Sequence, residues 1–296
     1  MSAPEAVARL RVYLAEMYPV PLRLATAVLL GGSFTRLLAR THGEGFDGAG
    51  AARAAAAVFT LALILRLMDE LKDRDVDRAL FPSRPLPSGR VRASDIVACL
   101  GLAILAWIAL HAGSGPAALS AAAVLAYALL MFRWFFVPGW MRPRLLATLA
   151  THTPVVPLML LHLAVLFATG AGRPLEPRPV GLLVAQYWSA VFAWEIARKI
   201  RAPQEEDDYV TYSRLLGRGG AVALAALAQV ASLAAAAGLT LASGLRPAAL
   251  VVPIAGLAAC GFAYARFLVQ PVAAHSRLRP FAEGFCFATF AWGLLA

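Results

Sequence analysis

The sequence predicts an all-α membrane protein that crosses the bilayer about nine times. Hydrophobic residues make up 60 % of the 296 residues and charged residues only 15 %, with a mean hydropathy of +0.69. Soluble domains are about 45–50 % apolar and about 25 % charged. The basic residues lie mostly between long apolar runs, as in polytopic membrane proteins. The net charge of +10 therefore reflects membrane topology and predicts no nucleic-acid partner.

Nine apolar runs approach the length of about 20 residues that a membrane-spanning helix needs. They are 20–39, 50–70, 93–112, 116–136, 145–169, 179–200, 217–243, 247–269 and 279–296. Residues 1–19 place charges among spaced apolar residues, which predicts an interfacial amphipathic helix. We find no fixed-period repeat and expect a single domain over residues 1–296.

The distribution of Lys and Arg predicts the orientation in the membrane. With the N-terminus inside, the inner segments hold 19 Lys and Arg residues and the outer segments only 5. The outer residues are Arg40, Arg53, Arg173, Arg178 and Arg246. Because cytoplasmic loops are enriched in Lys and Arg, loops 71–92 and 198–216 are both predicted to be cytoplasmic.

An acidic cluster follows the second predicted span. Five of the 17 acidic residues lie between positions 69 and 77, and Asp69, Asp73 and Asp77 share one helical face. Like charges at this spacing repel each other, so a cation must offset them. Mg²⁺ fits, since one or two carboxylates typically bind it together with substrate phosphates. The alternative is a solvated charged turn whose acids are neutralised by neighbouring Lys and Arg.

The loop after this cluster is rigid and basic. It reads Arg84-Pro-Leu-Pro-Ser-Gly-Arg90, with two prolines and a glycine between two arginines. The two guanidinium groups suit a diphosphate. A structural turn that returns the chain to the third span has a similar sequence, so this loop alone does not decide between them.

Together, DExxDxxxD (from Asp69) and RPLPSGR resemble the first signature of the UbiA superfamily of intramembrane prenyltransferases. The resemblance extends over nearly the whole chain and implies a helical bundle around a central cavity, with two acidic motifs that bind an isoprenoid diphosphate through Mg²⁺. It assigns catalytic and metal-binding roles to Asp69, Asp73 and Asp77. The family usually has Asn where this chain has Asp69, a change that preserves oxygen ligation. The expected diphosphate-binding residues are Lys72, Arg84, Arg90, Arg133, Arg198, Lys199 and Arg201.

The second acidic cluster departs from the family pattern. Glu195 stands where the family has a leading aspartate, and the later acids are shifted and interrupted by Pro203. The expected metal ligands here are Glu195, which also has a catalytic role, and Glu205, Glu206 and Asp208. The alternative is that Glu195 and Lys199, four residues apart, form a structural ion pair.

These features predict Mg²⁺-dependent transfer of a prenyl group from an isoprenoid diphosphate to a lipophilic acceptor of aromatic or quinone type, within the bilayer. An intramembrane terpene cyclase of the same superfamily is the main alternative, and it needs no second substrate. A cation-coupled transporter predicts inverted repeats and broken helices. The sequence shows neither, and both acidic clusters are predicted to lie at one membrane face.

Overall fold

A computed structural model describes residues 3–207 and 209–296, and all regular secondary structure in this part of the chain is helical. The α-helices are α1 (Ala3–Met17), α2 (Val20–Thr41), α3 (Gly48–Lys72), α4 (Arg74–Leu80), α5 (Ala93–His111), α6 (Pro116–Phe132), α7 (Pro138–Met141), α8 (Leu145–His152), α9 (Val155–Ala171), α10 (Pro177–Ala197), α11 (Tyr212–Ser243), α12 (Val251–Val269) and α13 (Arg279–Leu295). Short 3₁₀ turns lie at Trp134–Phe136, Pro203–Glu205 and Pro247–Leu250.

Seven helical segments of the described chain are long and apolar enough to cross a membrane. They are Val20–Thr41, Gly48–Lys72, Ala93–His111, Leu145–Ala171, Pro177–Ala197, Tyr212–Ser243 and Pro247–Val269. The predicted all-α, multi-pass class is confirmed. Pro116–Phe132 is apolar but has 17 residues, and α13 also has 17. The count of nine spans is consistent with these helices and stays a prediction.

The fourth predicted span ends earlier than the sequence indicated. Hydrophobicity continues to residue 136, whereas α6 ends at Phe132. Trp134, Phe135 and Phe136 have φ angles of 52°, 49° and 62°, in the left-handed region. A right-handed helix cannot continue through such residues. The apolar run therefore contains a turn as well as a helix.

The chain divides into two compact units, which are described separately. The first comprises residues 3–32 and Gly48–Pro138, so it contains α1, the start of α2 and α3–α6. Its core lies where α3 packs on α5 and α6. Trp107 is buried in this core and donates from Nε1 to the carbonyl of Ala121 at 3.2 Å. A Cβ atom on Gly31 would lie 2.7 Å from the backbone nitrogen of Ala55, so α2 and α3 approach backbone to backbone.

The second unit comprises Ser33–Asp47 and Gly139–Ala296. Its core is formed by α10, which packs on α9, α11 and α13, while α12 packs on both α11 and α13. Tyr187 lies fully buried in α10, donates a 2.8 Å hydrogen bond from its hydroxyl to Ser33 Oγ and stacks on Phe290. Small residues allow these helices to approach closely. One such residue is Gly293, whose Cβ would fall 2.6 Å from the Tyr187 hydroxyl.

Candidate active site

The acidic stripe lies at the end of α3 and along the short helix α4. Asp73 lies between the two helices, with φ −98° and ψ 12°. Helical hydrogen bonding nevertheless continues, since Asp73 N donates to Asp69 O at 2.9 Å and Asp77 N donates to Asp73 O at 2.8 Å. The three acids therefore follow one another by one helical turn each, as their spacing predicted.

The first acid of the stripe faces a lysine that also contacts an aromatic ring. Lys72 Nζ lies 3.1 Å from Asp69 Oδ1, and Asp69 itself is exposed. The same ammonium group lies 4.7 Å from the centre of the Trp134 ring, and the lysine side chain is largely buried. A cation over a ring face is held by the ring quadrupole. Lys72 is thus fixed beside the stripe rather than extended into solvent.

The last acid of the stripe is buried and paired with the basic loop. Asp77 Oδ1 accepts a 2.7 Å hydrogen bond from Arg84 Nη1. The Arg84 guanidinium carbon lies 3.9 Å from the centre of the Phe81 ring. The structure therefore brings one predicted diphosphate-binding arginine to one predicted metal ligand, and this ion pair is also the neutralisation by a neighbouring arginine that the alternative for this cluster describes.

The second arginine of the loop is held by α1. Arg90 forms a two-pronged ion pair with Glu16 through Nη1 and Nη2, and also donates to the carbonyl of Ser83 at 2.7 Å. The hydrogen bonds from Arg90 hold the pKa of the Glu16 carboxyl below its ordinary value. Arg9, also on α1, donates to both carboxylate oxygens of Asp95, at 2.6 Å and 2.9 Å. Helix α1 is therefore bonded to both ends of the segment 90–95.

Glu70 is a buried acid that was left off the predicted site. Its side chain is 1 % exposed, it is paired with Arg66, and its Oε2 atom has no hydrogen-bond partner in the described structure. A buried carboxylate oxygen without a partner is costly in a protein interior.

Arg133 is the remaining predicted site residue of this unit. It is exposed at the end of α6 and forms no ion pair with the described residues.

In the second unit, Glu195 is paired with two cations that follow it. Arg198 donates from Nε to Glu195 Oε2 at 2.6 Å and from Nη2 to Oε1 at 3.0 Å. Lys199 Nζ lies 3.2 Å from the same Oε1. The structure thus contains the Glu195–Lys199 pair that was the alternative reading, and adds a bidentate partner to it. A metal-binding role for Glu195 stays a prediction.

The later acids of this segment lie in the connection between α10 and α11. Arg201 Nη1 lies 2.8 Å from Asp207 Oδ2 and 3.1 Å from the carbonyl of Glu205, and the hydrogen bond to Arg201 holds the pKa of Asp207 below its ordinary value. Glu206 accepts hydrogen bonds from Thr211 Oγ1 at 2.7 Å and Ser213 Oγ at 2.6 Å. These carboxylates thus stabilise the conformation of the segment between α10 and α11. The predicted ligand Asp208 lies outside the described residues.

A basic cleft of about 280 Å³ lies at the end of α10. Its charged lining comprises Arg198 and Arg201, which were predicted, and Arg277 and Arg279, which were not, together with Glu205. Arg277 lies in the segment that joins α12 to α13, and Arg279 is the first residue of α13. Arg279 donates to Glu283 at 2.9 Å, whereas Arg277 is exposed and forms no hydrogen bond or ion pair with the described residues.

Comparison with known proteins identifies the fold. No protein-family model matches the sequence, and no curated protein sequence matches it significantly. The chain is similar to the solved structure of a UbiA homolog from Aeropyrum pernix K1, with a TM-score of 0.64 and 21 % identity over 91 % of this chain and 96 % of that one. It is also similar to a digeranylgeranylglyceryl phosphate synthase in membranes, with a TM-score of 0.60 and 16 % identity over 97 % and 99 % of the two chains. This chain has the UbiA fold.

The donor set that the UbiA fold presents here suits Mg²⁺ shared with a phosphate ligand. Among the described residues, no three His, Cys, Asp or Glu side chains converge into one metal-binding group. Mg²⁺ does not require such a cage, because it is usually bound by one or two carboxylates, waters and substrate phosphates. The exposed Asp69 and the half-buried Asp73 lie one turn apart and offer hard carboxylate oxygens. These residues therefore fit a Mg²⁺ ion that arrives with a diphosphate.

Sequence reasoning missed Glu70 in the first unit and Arg277 and Arg279 in the second. Glu70 stands inside the first cluster, and an acid in an apolar helix is by itself a functional signal. Arg277 and Arg279 lie about 80 positions after Arg198, and no local pattern connects the two segments. Only the packing of α13 on α10 brings them to one cleft.

Proposed function

We propose that this protein is a Mg²⁺-dependent intramembrane prenyltransferase, which moves a prenyl group from an isoprenoid diphosphate to a lipophilic acceptor of aromatic or quinone type. One observation carries the proposal: a helical stripe of carboxylates at the end of an apolar helix, joined directly to an arginine of the following loop, in a chain with the UbiA fold. Carboxylates and arginines in one place suit a metal diphosphate, in which both charges are present.

The residues of the first unit have different roles in binding the diphosphate leaving group. Asp69, Asp73 and Asp77 supply the carboxylate oxygens, and Asp69 is accessible to an incoming ion. Arg84 and Lys72 supply cations, each held in place by an aromatic ring. Their role is to neutralise the charge that grows on the diphosphate as its C–O bond to the prenyl group breaks. Mg²⁺, when bound, would supply the remaining charge neutralisation at the phosphate oxygens.

The second cluster is proposed to act on the same leaving group, and chain order supports this. Helices α3 and α10 correspond to the second and sixth predicted spans, so both lead to the predicted cytoplasmic side. Glu195 and its partners Arg198 and Lys199 would then exchange their mutual contacts for contacts with the metal diphosphate. Such an exchange keeps every charge paired in the resting and in the occupied protein, which avoids an isolated charge near the bilayer.

The transfer itself forms one bond and breaks one. The C–O bond of the allylic diphosphate breaks, the diphosphate leaves with the electron pair, and a nucleophile on the acceptor attacks the allylic cation and then loses a proton. Helices embedded in lipid exclude water, which would otherwise quench the cation. A prenyl donor is supported by the similar fold of a digeranylgeranylglyceryl phosphate synthase, whose name contains geranylgeranyl, a prenyl group.

A matched pair of aspartates tests the proposal. The purified protein is incubated with Mg²⁺, a radiolabelled allylic diphosphate of 10 to 20 carbons and a membrane lipid and quinone extract, and product is followed in the organic phase. Asp73→Ala is expected to abolish product, whereas Asp75→Ala is expected to retain it, because Asp75 is exposed and off the stripe. Product that forms equally without the extract would indicate a terpene cyclase. Full activity of Asp73→Ala would refute the assignment of the stripe.

A further inference from the structure

The basic cleft at the end of α10 contains two arginines, Arg277 and Arg279, to which the proposed prenyl transfer gives no role. Four arginines line a space of about 280 Å³. Two of the four lie far in the chain from both acidic clusters: Arg277 in the α12–α13 connection, and Arg279 as the first residue of α13. The cleft therefore brings together cations from two segments that are far apart in the chain.

The cleft arginines are held in place but still have unused donors. Arg198 is fixed by Glu195, Arg201 by Asp207 and Arg279 by Glu283, in each case by a hydrogen bond between 2.6 Å and 3.0 Å. A guanidinium group carries five N–H donors. After these contacts and the Arg201–Glu205 carbonyl contact, each of the three still has at least three N–H groups for another acceptor. Prior fixation lowers the entropy lost when a ligand binds.

Arg277 differs from the other three because it pairs with no acid among residues 3–207 and 209–296. It is exposed, and it makes no hydrogen bond or ion pair with the part of the chain that the structure describes. Its full charge therefore acts on an incoming anion. The carboxylates of Glu195, Asp207 and Glu283 neutralise part of the charge of the other three arginines, so Arg277 contributes the uncompensated charge of the cleft among the described residues.

We propose that this cleft binds a phosphate group, with Arg277 and Arg279 as its specific ligands and Arg198 and Arg201 as the opposite wall. Arginine donors match phosphate oxygens in pairs, which a point charge does not. The cleft lies beside the end of α10 and the start of α13, at the predicted cytoplasmic boundary of the membrane. Basic pockets between transmembrane helices on that side bind anionic lipid headgroups. The second source of a phosphate group is the diphosphate of the prenyl donor, and that source rests on the proposed function.

The test uses the double variant Arg277→Gln/Arg279→Gln of the full chain. The matched control is Arg178→Gln/Arg246→Gln, which removes the same charge from two exposed arginines outside the cleft. One arm measures retention of phosphatidylglycerol against phosphatidylcholine by native mass spectrometry. The other arm measures binding of inorganic diphosphate by calorimetry in Mg²⁺-free buffer, so that it does not depend on turnover or on the acidic stripe.

We expect the cleft variant to lose about tenfold or more in affinity for one probe, because charge-assisted hydrogen bonds disappear. Loss confined to phosphatidylglycerol identifies a lipid headgroup site, and loss confined to diphosphate identifies a substrate site. The proposal is overturned if the parent protein binds neither probe, or if the cleft variant binds both as the control does. The single variant Arg277→Gln, at an exposed and unpaired position, repeats the test if the double variant unfolds.

Discussion

The pair between Asp77 and Arg84 allows stability and activity to be separated quantitatively. The Asp77 side chain is 10 % exposed and that of Arg84 is 32 % exposed, with 2.7 Å between Oδ1 and Nη1. A hydrogen bond to a charged group contributes about 1.5–3 kcal/mol. Because Arg84 is partly exposed, water screens its interaction with Asp77, so we expect this pair to contribute about 1–2 kcal/mol to stability. Removal of Asp77 also relieves repulsion from Asp73 by about 0.2–0.5 kcal/mol.

Asp77→Ala should therefore destabilise the protein by only about 1 kcal/mol, the difference between these contributions. Its effect on prenyl transfer should be far larger, about 100-fold or more, because loss of one preorganised charge contact to a transition state costs about 2.7–4 kcal/mol. Unfolding is measured by titration with a denaturing detergent, and initial rates are measured on the folded fraction. Asp75→Ala, exposed on the same helix, should change stability by less than about 0.5 kcal/mol.

A double-mutant cycle with Arg84→Ala completes this experiment. The coupling free energy between Asp77 and Arg84 should be about 1 kcal/mol or more, since the two side chains are in direct contact. Strictly additive effects on unfolding would show that the pair is absent from the folded protein. An Asp77→Ala variant that keeps more than half of the parent rate would refute the catalytic interpretation of the stripe, whatever its stability.

Three further predictions concern the second cluster, α1 and the topology. Glu195→Gln should lose most metal-dependent activity, while Lys199→Ala should chiefly raise KM for the diphosphate. Restored activity in a double variant that exchanges the charges of Glu195 and Lys199 would show that Glu195 has a structural role. Glu16→Gln should leave stability almost unchanged, because the pair is exposed, and should lower KM for the diphosphate by freeing Arg90; an unchanged or higher KM would contradict this. Cysteines introduced at the exposed positions Ser88 and Gln204 should both be labelled from the cytoplasmic side, and labelling of the parent chain is subtracted as background. Labelling from opposite sides would show that the two acidic clusters do not bind the same diphosphate.

Local features of this site were predictable because their physical cause is local. The spacing of Asp69, Asp73 and Asp77 determines a shared face wherever helical hydrogen bonding continues, and it does continue across the break at Asp73. Arg84 reaches Asp77 over only seven positions, with one rigid turn between them. Apolar runs also predicted the helices well, because length and hydrophobicity alone decide whether a segment can span a bilayer.

Features that depend on packing were not predictable from one sequence. Arg90 appeared free to bind a diphosphate, but Glu16, 74 positions away, holds it. Arg277 and Arg279 carried no signal, because any exposed arginine near a helix end looks the same in sequence. The early end of α6 follows from backbone angles at three aromatic residues whose composition suits a continuing apolar span equally well.

Prenyl transfer is tested by an experiment that follows both halves of the donor in one reaction. A prenyl diphosphate with ¹⁴C in the chain and ³²P in the diphosphate is added to the reconstituted protein with a lipid and quinone extract. We predict that ¹⁴C enters the acceptor as ³²P is released in equal amount as free diphosphate, that both changes require Mg²⁺, and that Asp73→Ala shows neither. Two labels that stay together, bound to the protein or moved intact across the membrane, would contradict prenyl transfer.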